Sequence, residues 1–117
     1  MRFEAKLGNE IIGFTELELG DAPMGVAGGR FVPTPAYASI QSHCIKHRDS
    51  WEPIPELSIA VTGCDLPIEC SGGITISDYS VELNEIEICI YGVPYPLYAE
   101  LFPHHAASYK KAFEPKA

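Results

Sequence analysis

Among the side chains able to do chemistry, His43, Cys44 and His47 have the most suggestive spacing. On a helix, His43 and His47 lie one turn apart and project the same way, a geometry that can hold a metal between two imidazoles. Cys44 and His47 could instead pair as thiolate and imidazole. No Glu stands between the histidines to act as a base, as the zinc-protease helix motif requires. A plain surface histidine pair is therefore the favoured expectation, with no metal and no cofactor.

The remaining cysteines add little to a metal hypothesis. Cys64 and Cys70 stand further apart than the roughly two-to-four-residue spacing of zinc knuckles. A site built from Cys44, His47, Cys64 and Cys70 has only composition behind it, so reduced thiols in or near the core are expected. His104 and His105 follow Pro103 at a helix start and should be exposed. The run Gly25–Arg30 (GVAGGR) matches neither the dinucleotide fingerprint nor a Walker loop, since it lacks the Lys-Ser/Thr pair. Its glycines are better read as serving backbone geometry.

Charge is more informative. Sixteen Asp and Glu against eight Lys and Arg give a net charge of −8. Such a chain repels nucleic acid and anionic membranes, because both interactions depend on Lys and Arg neutralising phosphate. No apolar run nears the roughly 18 residues that a membrane span needs. The opening MRFEAKLGNE has scattered charges and no apolar core of a secretory signal, so a cytoplasmic location is the default expectation. Glu85 and Glu87 fall on one side of a strand, and Glu16 and Glu18 on one side of another. If those strands share a face, the four carboxylates make a binding face that would attract and steer a basic protein partner.

These residues depend on a scaffold that the periodicity outlines. Arg2–Leu7 alternates Phe3, Ala5 and Leu7 against Arg2, Glu4 and Lys6, which predicts a half-buried strand. Gly8-Asn9 is a turn into a second strand, Glu10–Leu19, completing a hairpin. Met24–Val32 reads as a strand bent near Gly28-Gly29 that feeds a helix through Pro33. Thr34 is the expected N-cap and Pro35 the first helical residue of a helix running to about Arg48, with Tyr37, Ile40 and Cys44 on its buried side. Pro53 and Pro55 mark a loop in which Trp51 is expected to plug the core edge. Leu57–Gly63, a stretch ending near Asp78, and Val81–Tyr91 follow as strands. In the last, Ile86, Ile88 and Ile90 alternate with Glu85, Glu87 and Cys89. Pro96 and Pro103 each open a short helix.

Residues 1–117 thus predict a single α+β domain. Its frame is a curved, mainly antiparallel sheet of about six strands, with one helix (about 35–48) packed on it and a short helical C-terminal region. The favoured function is a non-catalytic protein-binding module for a basic partner, of the kind that immunity or antitoxin-type proteins provide. The alternatives are a small enzyme or ligand-binding domain with a pocket between the Gly25–Gly29 strand and the 35–48 helix, and a homo-oligomeric structural protein in which Gly25–Gly29 permits close subunit contact.

Overall fold

Alternating apolar side chains build most of the fold, and they do so in two sheets rather than one. The structure, a computed structural model, describes residues 1–50 and 52–112, with side chains to residue 108. Trp51 and the tail from residue 113 onward lie outside the described residues. The first sheet has the order β5-β2-β1-β6 and the second β3-β4-β8-β7, with every pairing antiparallel.

In the first sheet β1 (Phe3–Leu7) pairs with β2 (Glu10–Thr15) across the Gly8-Asn9 turn, as the hairpin expectation required. The register slips between Ala5 and Lys6, which leaves Ile12 as the extra residue, and Ile12 is fully buried. The far side of β1 is covered by β6 (Leu57–Val61). Glu4, expected in water, is buried on the outer face, where its register partners are Phe14 and Ala60.

In the second sheet β8 (Glu85–Tyr91) runs between β4 (Val26–Arg30) and β7 (Gly73–Tyr79), with β3 (Leu19–Asp21) outside β4. Ile86, Ile88 and Ile90 are buried while Glu85 and Glu87 are exposed, as the alternation predicted. The strand starts later than expected. Ser80–Leu83 forms a helical turn (α2) that leaves Val81 and Leu83 exposed, and Asn84 takes a left-handed φ of 54° before β8 begins.

The single curved sheet of about six strands is therefore corrected to two four-stranded sheets among the described residues, and two corners make the difference. The expected strand Glu10–Leu19 breaks at Leu17, whose φ of 48° is sterically costly for a branched residue. Leu17 is buried, its N–H donates to Thr15 Oγ1 at 3.1 Å, and His105 Nε2 donates to its carbonyl at 2.9 Å. Those contacts hold the corner, and beyond it Leu19 points outward, 61% exposed. The second corner is the buried Phe31, between β4 and β5 (Val32–Pro33), and not Gly28-Gly29.

The expected helix 35–48 is also corrected. Residues Pro35–Ser39 form a 3₁₀ turn, Ile40 leaves helical geometry at φ −120°, and an α-helix (α1) covers only Gln41–Lys46. Ser39 Oγ donates to the Ala36 carbonyl at 3.1 Å, a local bond of the kind that competes with continued helix. Pro35 does stand at the first position, but the Thr34 hydroxyl donates to the Ile11 carbonyl at 2.7 Å instead of capping. At the C-terminal end α3 (Leu97–Leu101) and α4 (Pro103–Ala112) follow the two prolines. Tyr98 and Phe102 are buried there, with the Phe102 ring 5.6 Å from Phe3 and Tyr98 Oη donating to the Val26 carbonyl at 2.7 Å.

Candidate functional site

Helix α1 separates the three residues singled out for chemistry. Cys44 faces the core and is 1% exposed, whereas His43 and His47 face solvent with ring centroids 4.4 Å apart. Burial pushes the Cys44 thiol above its ordinary range, more than its hydrogen bond with Tyr37 pulls it down. An inert core thiol is the chemical result. No three His, Cys, Asp or Glu side chains converge as a metal-binding group among the described residues.

The helical segment instead presents Tyr37 and Gln41 to a carboxylate that sequence reasoning did not single out. Asp78 has no exposed surface. Tyr37 Oη donates to its Oδ2 at 2.6 Å, Gln41 Nε2 donates to the same oxygen at 3.4 Å, and the Ser80 N–H donates to Oδ1 at 2.8 Å. Burial pushes this carboxyl up, but the hydrogen bonds from Ser80, Tyr37 and Gln41 outweigh it and hold it below the ordinary carboxylate range. The signal was present in the register: Ile74 and Ile76 point inward, so the next position on that face is residue 78. This network ties the helical segment to β7 and holds no unsatisfied group for chemistry.

The acidic residues fare differently. Glu18 follows the Leu17 corner, and both its carboxylate oxygens accept the Arg30 backbone N–H, at 3.1 and 3.3 Å. Gly29 makes this approach possible, because a Cβ at that position would collide with the Glu18 carboxylate. Arg30 is the register partner of Glu87 on β8. Glu18, Glu85 and Glu87 consequently line one groove of about 280 Å³, together with Arg30 and the apolar Leu19 and Ile86. Glu16 lines an adjoining depression of about 360 Å³ that also includes Glu18, Arg2 and Arg30. The four carboxylates lie on connected surface, with Glu18 as the link.

The glycine strand has a local explanation. A Cβ at Gly28 would approach Cys89 Sγ to 2.7 Å, and one at Gly25 would approach the Val93 carbonyl to 2.6 Å. β4 is paired on both sides, by β3 and β8, and its glycines make room for neighbours within the chain. β8 also stands between β4 and β7, and the helical segment packs on β7 and β2. His105, expected to be exposed, is half-buried against Tyr98 and Phe102 and bonded to Leu17; His104 is exposed.

No protein-family model matches the chain, and no curated protein or solved structure matches it. No described helix is long and apolar enough to cross a membrane.

Proposed function

We propose that this chain is a non-catalytic binding protein whose acidic groove receives a basic segment of a protein partner in the cytoplasm. The observation that supports this most is the meeting of Glu18 with Glu85 and Glu87, brought from distant parts of the sequence into one groove. Its shape suits the chemistry of Lys or Arg. Leu19, 61% exposed, offers apolar surface to a long aliphatic stem, and the carboxylates lie where its charged head would reach. Three carboxylates outweigh the single cation of the groove, Arg30, and the whole chain at −8 extends that field outward. Small acidic immunity or antitoxin-type proteins, which mask basic toxins, are one setting for this physics.

The test is the paired substitution Glu85→Gln and Glu87→Gln. Both side chains are exposed, so the fold should survive and only recognition should suffer. The variant should capture less of a basic partner from host lysate and associate with it more slowly. Equal capture and an equal on-rate would remove the groove from consideration.

A further inference from the structure

A cavity of about 450 Å³ lies away from the Glu85–Glu87 groove, between the Leu17 corner and the start of α4. That volume falls in the roughly 300–1,000 Å³ range of small-molecule sites. Its walls are Phe3, Leu101 and Phe102, with the imidazole of His105 stacked on Phe102 at 5.5 Å. Glu16 and Glu18 share the rest of the lining with Met1, Leu17, Pro103 and His104, and no Lys or Arg side chain is among its described residues.

The polar groups of this cavity are mostly acceptors. His105 donates its Nε2 proton to the Leu17 carbonyl, so that donor is already used. Glu18 already accepts the Arg30 N–H, but Glu16 has no hydrogen-bond or ion-pair partner among the described residues. The first turn of α4 also borders the cavity, and its dipole alone, about half a positive charge, would favour an anion. Pro103 removes one N–H donor from that turn, and the two full carboxylate charges exceed that half charge and the α-ammonium of Met1 together. The balance is anionic.

We infer that this cavity is a binding site for a small organic ammonium ion with an apolar, preferably aromatic, body. The body would pack on Phe3, Leu101 and Phe102, and the ammonium would bond Glu16 and lie near the aromatic faces, where cation–π attraction adds to the charge pairing. Nothing in this site requires the protein-binding groove, and only Glu18 borders both.

Amide chemical shifts during titration of the whole chain test the inference, with phenethylamine as probe and 3-phenylpropionate as the analogue of opposite charge. Phenethylamine should shift the amides of Leu17, Gly20, Leu101 and His105 saturably in the millimolar range. It should bind at least about tenfold more tightly than 3-phenylpropionate, and Glu16→Gln should weaken it by roughly tenfold through loss of one charge-assisted bond. Glu85→Gln with Glu87→Gln should leave phenethylamine binding unchanged, which separates this site from the partner groove. Equal or tighter binding of 3-phenylpropionate would overturn the inference. So would shifts confined to the Glu85–Glu87 groove, insensitivity to Glu16→Gln, or the absence of saturable shifts.

Discussion

Replacing Tyr37 by Phe removes one oxygen from the core and deprives Asp78 of its closest side-chain donor, at 2.6 Å. The ring should stay, because it packs edge-on against Phe31 with centroids 5.4 Å apart. What is lost is a hydrogen bond to a buried charge, a contribution of about 1.5–3 kcal/mol, against a total stability of roughly 5–15 kcal/mol for such a domain. The pH dependence follows from the direction of the Asp78 shift. Burial alone would raise its pKa, but the bonds from Ser80, Tyr37 and Gln41 bring it below the ordinary value. A depressed native pKa means stability that is complete above the unfolded value and is lost as pH falls through the native one. Tyr37→Phe takes away part of that preference for the carboxylate. Its cost should therefore be largest near neutrality and shrink as pH falls toward the depressed native pKa of Asp78. Urea unfolding at a series of pH values from neutral to about pH 3 measures this directly. A neutral-pH cost below about 0.5 kcal/mol, or one that grows on acidification, would refute the reasoning.

Three further outcomes follow from the packing. Ile88, with no exposed surface at the centre of the second sheet, should cost about 2–5 kcal/mol when replaced by Ala, read as a shift in the urea midpoint at unchanged slope. Gly29→Ala should cost no more than about 1 kcal/mol in a thermal melt, because the exposed Glu18 side chain can swing away and forfeits only its bond to the Arg30 N–H. Thiol labelling at about pH 8 should be fastest at the exposed Cys64. Cys44 and Cys70 are pushed up by burial, and Cys89 to about 11 by burial and the neighbouring Glu87; these three should label much more slowly in the folded protein than in urea.

Much of the local structure was legible because it depends on near neighbours. Gly8-Asn9 marked the first hairpin, Pro96 and Pro103 opened the two C-terminal helices, and the Ile86–Ile90 alternation gave both faces of β8. What escaped was set by contacts between distant residues. Leu17 carries no turn signature of its own; its left-handed geometry depends on His105 from α4. Missing that corner ran β2 on to the start of β3 as one expected strand, Glu10–Leu19. Gly28 and Gly29 suggested a bend, yet they are small because Cys89 and Glu18 need the space. The helix expectation missed the break at Ile40, since its buried positions stay apolar through both helical pieces. Of the candidate site, the pairs Glu16/Glu18 and Glu85/Glu87 could be seen, but their convergence depends on the corner at Leu17 and the pairing of β4 with β8.

The partner groove stands or falls on the ionic-strength dependence of the association rate between this protein and a basic partner captured at low salt. As the Debye length contracts from about 30 Å at 0.01 M to about 8 Å at 0.15 M, long-range steering should fade and the on-rate should fall steeply. The Glu85→Gln, Glu87→Gln variant should start slower, show a shallower slope and converge with the wild type at high salt. An on-rate indifferent to salt, or a variant with the same slope as the wild type, would contradict the assignment of the Glu18–Glu85–Glu87 groove as the binding face.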